Sequence, residues 1–289
     1  MSGQFDYRQM TSRNFGFVTE AEQERLRAGH VFVCGTGGMG GACVQSLARA
    51  GVGALELADF DTFEVTNLNR QVFCTMDDLG RSKVEVTAER VRGINPEAAV
   101  QTHGEHWLDQ LDDILGRCRV VVNGMDDIAA GVRLYRAARA RGATVIDAHS
   151  STLPSVFVVR PGDPTPEERL GWPTRGLPHE RFTREMLDQC KQAEIEYVLV
   201  HSSTANHVVR SVAAEIAAGT RPRISFAPMV ITTGNLLAYE AIAALTGRPH
   251  GADFRGWFLN PYTGRIERPR WWPVALARRA LVQRFLKGA

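Results

Sequence analysis

The chain has 289 residues, of which 44% are hydrophobic and 23% are charged, and its formal net charge is +2. This length suits one large domain or two small ones and is enough to bury a substantial core. The composition excludes a disordered, fibrous or collagen-like chain, and the near-neutral charge argues against wholesale coating of nucleic acid.

Apolar runs and cysteines narrow the class of protein further. Every uninterrupted apolar run is much shorter than the about 20 residues that a membrane-spanning helix needs. Residues 1–14 lack the apolar stretch of a secretory signal. The 5 cysteines are widely scattered, unlike a disulfide framework, and no CxxC pair occurs. We therefore expect a cytoplasmic protein without a zinc site built from CxxC pairs.

The first part of the chain predicts a nucleotide-binding βαβ unit. A compact apolar strand over 31–34 leads into a glycine-rich segment over 35–41, and a helix follows over 42–50. A second strand over 54–58 ends at Asp59. A strand, a glycine turn and a helix in this order open a dinucleotide-type unit.

Short apolar strands and helices continue to alternate as far as residue 147. We expect helices over 82–92, 108–115 and 129–141, and strands over 98–102, 120–123 and 143–147. Helices between short apolar strands predict an α/β, Rossmann-like, mostly parallel sheet with helices on both faces.

The composition changes after Arg160, because prolines become frequent between residues 161 and 178. This pattern predicts a long surface excursion. Helices are expected over 184–192, 205–218 and 230–245, and short strands over 257–260 and 265–268. We divide the chain into a nucleotide-binding part (1–160), a crossover excursion with helices (161–225) and a C-terminal α/β return of the same domain (226–289).

The tail beyond residue 265 is basic and amphipathic. Its arginines and Lys287 face a single acid, Glu267. An apolar stripe at helical spacing is formed by Val274, Ala277, Leu281, Val282 and Phe285. We expect this helix to dock on its own domain, with an acidic partner, a nucleic acid or an anionic membrane surface as the less favoured alternatives.

Three glycines and one acid form the core of the predicted nucleotide site. Gly35, Gly37 and Gly40 satisfy GxGxxG, in which bare backbone lets phosphates approach the N–H groups of a helix N-terminus. Asp59, about twenty residues further on, can hold ribose hydroxyls. This arrangement favours a nucleotide site over a merely structural turn.

Cationic side chains near this loop indicate which kind of nucleotide binds there. Arg70 stands in a polar cluster that includes Asn67, and Lys83 opens the following helix. Chemistry on a triphosphate needs fixed positive charge for the leaving pyrophosphate, whereas a dehydrogenase needs few cations there. The alternative that both are solvated surface cations stays open.

Two aspartates follow the strand over 120–123, at the edge of the sheet where ligands bind. We expect Asp126 to reach the site, where a carboxylate can hold magnesium on phosphate oxygens. Asp127 is expected to cap the next helix.

In this order the motifs resemble the ThiF/MoeB/HesA adenylyltransferases, relatives of the ubiquitin-activating enzymes. The matching segments are SRNFG at 12–16, GTGGMG at 35–40, ADFDTFEVTNLNRQ at 58–71, GRSK at 80–83 and INP at 94–96. The resemblance covers 12–147 well and returns more weakly over 226–247. Because the family's paired CxxC motifs are missing, the chain resembles a branch without structural zinc.

The resemblance implies that ATP and Mg²⁺ are used to adenylate a carboxylate with release of pyrophosphate. The carboxylate is commonly the C-terminus of a ubiquitin-like sulfur carrier. The implied phosphate loop is Gly35, Gly37, Gly38 and Gly40. Asp59, with Asp61 beside it, is implied to bind ribose, Asn67, Arg70 and Lys83 to contact phosphates, and Asp126 to coordinate magnesium.

Two further roles are implied by the family. Arg13 resembles the arginine that reaches into the partner subunit's ATP site, which implies a homodimer, and Arg8 is the fallback. Cys190 stands where some members carry a thioester-forming cysteine, but a structural cysteine and adenylation without a thioester are the favoured interpretation.

Other functions stay open. They are ATP-dependent dehydration of a small or tRNA-borne carboxylate, a nonenzymatic nucleotide-binding partner protein, and an NAD-dependent oxidoreductase.

Overall fold

The computed structural model describes residues 5–217, 220–221 and 223–288. Each of the three predicted parts has a few residues outside this description, namely residues 1–4, 218, 219, 222 and 289. The side chains of 285–288 are also outside, so the predicted tail positions of Phe285 and Lys287 fall beyond the description.

The strands form one eight-stranded sheet in the order β3-β2-β1-β4-β5-β6-β7-β8. They are β1 (His30–Cys34), β2 (Ala54–Ala58), β3 (Ala99–His103), β4 (Val120–Asn123), β5 (Thr144–Asp147), β6 (Ser155–Val159), β7 (Trp257–Asn260) and β8 (Arg265–Glu267). The first five are parallel to one another, and the last three join antiparallel. The predicted Rossmann-like α/β sheet is confirmed.

Helices cover both faces of this sheet. They are α1 (Tyr7–Thr11), α2 (Glu20–Arg27), α3 (Gly38–Ala50), α4 (Lys83–Ile94), α5 (Leu111–Arg117), α6 (Ile128–Arg141), α7 (Pro166–Leu170), α8 (Arg184–His201), α9 (Arg210–Ala217), α10 (Ala227–Thr246) and α11 (Trp272–Gly288). Side chains alternate along each strand, so Val31 and Val33 pack beneath α3, α4 and α10, whereas Phe32 and Cys34 pack beneath α5 and α6.

Three elements between residues 155 and 217 differ from the prediction. β6 was not expected as a strand, because it is buried at every position and lacks the alternation that marks a half-buried strand. α8 runs nine residues beyond the predicted 192 to His201, since no glycine or proline interrupts it. The predicted helix over 205–218 is a 3₁₀ turn (Thr204–His207) followed by α9.

α10 corrects the expectation that no segment reaches membrane-spanning length. It has 20 residues and a mean hydropathy of 1.3, which meets the criteria of length and composition for a span. In the fold it packs against α3, and at Gly234 a Cβ would overlap the backbone carbonyl oxygen of Met39. Its own Leu237 and Ala241 are buried in the core, and this packing accounts for the apolar character of the helix.

Two arginines of α6 hold the proline-rich excursion: Arg139 bonds the Glu168 carboxylate, and Arg136 makes the larger set of contacts. Arg136 donates two hydrogen bonds of 2.8 Å to the Glu167 carboxylate and further ones to the carbonyl oxygens of Thr174 and Leu177. Cys190, on α8 of the same excursion, is buried against Val132 of α6 and Trp172. In this chain, which lacks the zinc-binding CxxC motifs, the paired hydrogen bonds between Arg136 and the Glu167 carboxylate therefore help to hold the crossover segment.

α11 docks on its own chain, as expected, but not through its apolar stripe. Arg278 donates to backbone carbonyl oxygens at the end of α8, and Arg279 bonds the Glu196 carboxylate. Val274 and Leu281 of the stripe remain 50% and 65% exposed. The amphipathic pattern identified the helix but not which face meets the domain.

A buried carboxylate ties β2 to its neighbours. Both oxygens of Glu56 are bonded by Arg117, at 2.6 and 3.0 Å, and His103 Nε2 lies 2.6 Å from Oε2. Burial alone would raise the pKa of Glu56, but the Arg117 and His103 hydrogen bonds outweigh it and the pKa is lowered. The fold therefore keeps this charge ionised through its partners.

Replacing Arg117 with Met keeps the apolar stem but leaves the Glu56 carboxylate short of its cation. We expect the free energy of unfolding, measured by urea denaturation, to fall by about 2–3 kcal/mol. Arg141→Met is the control, because the Arg141–Asp112 pair is 45% and 71% exposed, and it should cost less than about 1 kcal/mol. Equal losses in the two variants would contradict this account.

Candidate active site

A cavity of about 440 Å³ lies at the carboxyl ends of the parallel strands. The sheet order places it at the switch point between β1 and β4, where open α/β sheets bind ligands. Nine residues of the predicted site line it: Gly35, Gly37, Gly38, Asp59, Asp61, Asn67, Arg70, Lys83 and Asp126. The structure thus brings most of the predicted site into one space.

The glycine loop brings a helix N-terminus to this cavity. Gly35 has φ +84°, a left-handed conformation that favours glycine. A Cβ on Gly40 would overlap the Gly35 carbonyl oxygen, so Gly40 lies behind the loop rather than on the cavity wall. α3 begins at Gly38 without a side-chain cap, which leaves first-turn N–H groups for an anionic ligand.

Asp59 fixes the loop from the end of β2. Its Oδ2 accepts hydrogen bonds from the backbone N and the hydroxyl of Thr36, at 2.7 and 3.1 Å. Its Oδ1 accepts from the Asp61 backbone N at 3.0 Å. The carboxylate therefore bridges the ends of β1 and β2.

Two cations stand on the cavity wall in fixed positions. The Lys83 ammonium is mostly buried and lies 2.8 Å from Oδ2 of Asp61, whose side chain is 55% exposed. Nη1 of Arg70 donates to the Thr66 carbonyl and the Asn69 side chain, at 2.8 and 2.9 Å. Asn67 is buried beside them, and its Oδ1 accepts from the Glu64 backbone N.

The two aspartates after β4 occupy different positions, as the sequence predicts: one caps α6 and the other lies on the cavity wall. Oδ1 of Asp127 accepts from the Ala130 backbone N at 3.0 Å and so caps α6. Asp126 is exposed on the cavity wall and makes no hydrogen bond among the described residues. A free carboxylate oxygen is a ligand that Mg²⁺ accepts.

Arg13 lies outside the cavity. It is exposed on a 3₁₀ turn (Ser12–Asn14), and the side chain of Asn14 donates to the carbonyl of Ala50, at the end of α3. The 13 residues of α3 separate this end from the glycine loop, a distance of about 18 Å at 1.5 Å per residue. Arg13 is therefore too far away to contact the cavity of its own chain, and Arg8 is exposed on α1.

Cys190 also lies away from the cavity wall. It is fully buried beside Val132 and Trp172, and burial raises the pKa of its thiol. A buried thiol of raised pKa forms little thiolate. The geometry gives no support to a nucleophilic role.

The far wall of the cavity was missed by sequence analysis. It is formed by Asp147, His149, Trp172 and Glu194, at the end of β5, after α7 and on α8. Asp147 ends a parallel strand as Asn123 does, so its position carried a usable signal. Nothing in the local sequence marks Glu194, because the folding of the excursion brings it here.

One group elsewhere has the spacing of metal ligands among the described residues. Ligand atoms of His30, Glu56 and Cys118 lie within 4.8 Å of one another. Both Glu56 oxygens are already bonded by Arg117 and His103, so a metal ion would have to displace those partners. This donor set does not fit a structural zinc ion.

Comparison with known families agrees with the geometry. The ThiF family matches residues 10–273. The chain belongs to the ThiF family. The resemblance found in the sequence is confirmed.

Curated relatives match the chain over shorter segments. It is 43% identical over 90 residues to the tRNA threonylcarbamoyladenosine dehydratase of Escherichia coli (strain K12), covering 31% of this chain and 32% of that protein. It is 36% identical over 126 residues to the SAMP-activating enzyme E1 of Haloferax volcanii, covering 43% and 46%. The matched segments thus span less than half of these relatives.

Solved structures share the fold over more of the chain. E. coli MccB, in a crystal structure with succinimide, superposes with a TM-score of 0.66 at 18% identity, over 92% of this chain and 72% of that one. E. coli TcdA in complex with ATP gives 0.59 at 21% identity, over 83% and 95%. At these identities the likeness establishes the ThiF fold.

Gly40→Ala tests the backbone packing of the ThiF-family loop. The added Cβ must displace the Gly35 carbonyl, so we expect a loss of about 1–3 kcal/mol in stability, seen as a lower thermal midpoint. Gly93→Ala is the control, because a Cβ there meets nothing within 4 Å inside α4. That change should stabilise by about 0.5–1 kcal/mol; an unchanged midpoint for Gly40→Ala would refute the packing argument.

Proposed function

We propose that this chain uses ATP to adenylate a carboxylate, forming an acyl-adenylate and releasing pyrophosphate. The observation that carries the proposal is the composition of the cavity: an uncapped helix N-terminus, two cations and a free carboxylate share it. A nicotinamide oxidoreductase would need the helix N-terminus but not the cations. A nonenzymatic nucleotide-binding protein would need neither cation in a fixed position.

The chemistry explains why fixed cations matter. A substrate carboxylate oxygen attacks the α-phosphorus, and the bond from that phosphorus to the β-phosphate's bridging oxygen breaks. Negative charge builds on the departing pyrophosphate, and donors that are already oriented stabilise it without reorganisation. Lys83 and Arg70, held by Asp61 and by the Thr66 carbonyl, meet this requirement.

The remaining predicted residues complete the proposed nucleotide site. First-turn amides of α3 and the bare backbone of Gly35, Gly37 and Gly38 would receive the phosphates. Asp59 and Asp61 would face the ribose, and Asp126 would hold Mg²⁺. When bound, Mg²⁺ neutralises phosphate charge.

For the carboxylate we propose the C-terminus of a ubiquitin-like or sulfur-carrier protein or of a peptide. Relatives named SAMP-activating enzyme E1 and ubiquitin-like modifier-activating enzyme 5, together with structures of MccB with MccA, support this class. Burial of Cys190 favours adenylation without an enzyme thioester. We retain a cytoplasmic location as part of the proposal.

A second candidate is ATP-dependent dehydration of a small or tRNA-borne carboxylate. It is favoured by two tRNA threonylcarbamoyladenosine dehydratases, 43% and 49% identical to the chain over their matched segments.

Pyrophosphate exchange into ATP tests the reaction, with carrier proteins or peptides in one arm and tRNA carrying threonylcarbamoyladenosine in the other. Arg70→Ala and Asp126→Ala should each lower exchange by at least about 100-fold, because each removes stabilisation of charge in the transition state. The exposed Arg49 and Asp112 supply matched controls, Arg49→Ala and Asp112→Ala, with unchanged exchange. Full exchange in either site variant would refute the assignment.

We also propose a homodimer in which Arg13 completes the partner subunit's site. The separation of Arg13 from its own cavity by the length of α3 supports this. The side chain must act on a second chain or not at all in catalysis.

Mixing Arg13→Ala with Asp126→Ala protein, each inactive alone, tests this arrangement. If Arg13 acts across the interface, each mixed dimer regains one intact site, and random exchange should restore about one quarter of wild-type activity. No recovery in mixed dimers, verified by mass spectrometry, would place Arg13 elsewhere. A monomeric, fully active protein in sedimentation equilibrium would rule out the dimer itself.

A further inference from the structure

The far wall of the cavity contains one carboxyl group that the proposed nucleotide site does not use. Glu194 projects from α8 onto this wall, and its side chain is only 15% exposed. It makes no hydrogen bond among the described residues, and its one close polar neighbour is Nδ1 of His149, at 3.5 Å from Oε1. The part of the side chain that stays accessible lines the cavity.

His149 does not supply a positive charge to Glu194. Arg169 Nη2 lies 2.8 Å from Nε2 of His149, and because a guanidinium only donates, Nε2 must accept. The ring proton then sits on Nδ1, facing Glu194. Burial lowers the pKa of His149 well below its usual value, which keeps the imidazole neutral.

Arg169 is sealed off from the cavity. Its guanidinium carbon lies 4.3 Å from the centroid of the Tyr197 ring, and its Nε and Nη1 are inaccessible. Lys191 and Arg223 are exposed, and Arg223 also lines the cavity, but within the described part of the chain neither forms an ion pair with Glu194. Glu194 therefore faces the cavity without a cation in contact.

The rest of the wall adds negative charge and an aromatic ring. Asp147 accepts hydrogen bonds on both oxygens, from Tyr135, Asn123 and the Ala148 backbone N, so it contributes charge but no free oxygen. Trp172 is 5% exposed and lines the same cavity, and its Nε1 is buried without a hydrogen-bond partner among the described residues. Burial and the nearby Asp147 raise the pKa of Glu194 to about 8, as expected for a carboxyl without a counterion.

At neutral pH such a carboxyl group is mostly protonated in the empty cavity, and it ionises when a cationic ligand supplies the missing counterion. A metal ion would need several ligand atoms close together, and the described residues of this wall hold no such group. A primary ammonium needs only one free carboxylate, and an indole ring nearby strengthens its binding.

We propose that the wall formed by Asp147, His149, Trp172 and Glu194 binds a primary ammonium group of the substrate whose carboxylate is adenylated. This inference rests on the proposed function, since the same cavity must hold the acyl-adenylate. Within the proposed substrate class it favours a peptide whose C-terminal carboxylate has an amino group within reach over a carrier protein that ends in two glycines. Glu194 sets specificity, and the residues of the nucleotide end set reactivity.

Stable analogues of the acyl-adenylate test the wall by binding alone. The probes are acyl-sulfamoyl adenosines whose acyl chains end in an ammonium (β-alanyl, 4-aminobutanoyl and 6-aminohexanoyl), each paired with the analogue that carries methyl in its place. Isothermal titration calorimetry with the full chain at neutral pH gives the affinities. We expect at least one ammonium probe to bind at least about tenfold more tightly than its methyl partner.

Glu194→Gln should remove this preference while leaving the affinity for the methyl probe and for ATP unchanged. Glu185→Gln, at an exposed position on the same helix, should keep the preference. Equal binding of ammonium and methyl probes by wild type, or an intact preference in Glu194→Gln, would overturn the subsite alone. Failure of ATP and of every probe to bind would overturn the proposed function and the subsite with it.

Discussion

The backbone contact between Gly35 and Gly40 is the constraint on which the rest of the site depends. Because neither residue carries a side chain, β1 can turn directly into α3, and the first amides of the helix face the ends of the strands. Asp59 then locks the turn by accepting from Thr36. The other residues of the proposed nucleotide site are positioned relative to this turn between β1 and α3.

The parallel half of the molecule was predictable because its constraints are local or repetitive. A glycine that must avoid a clash, and an aspartate that follows a strand, carry their signals in the sequence itself. Asp59 and Asp126 lie on one cavity for this reason: the carboxyl ends of parallel strands meet at one edge. Their positions follow from the fold.

The rest depended on contacts between distant segments. β6 is buried on both faces and reads like any short apolar run, so its antiparallel pairing with β5 could not be inferred. α11 showed an apolar stripe, but the arginine contacts with α8 decided which side faces inward. Glu194 reaches the cavity through the path of the excursion, which no local pattern encodes.

The fork between Arg136 and Glu167 has a mechanical consequence. Arg136 sits in the middle of α6, the helix that Asp127 caps, and Asp126 immediately precedes that cap. A helix is stiff along its axis. α6 therefore joins the loop that carries Asp126 to the excursion, which carries Trp172 and Glu194 of the far wall. The distance between Asp126 and the residues that the excursion adds to the cavity is therefore set by α6 as well as by the sheet.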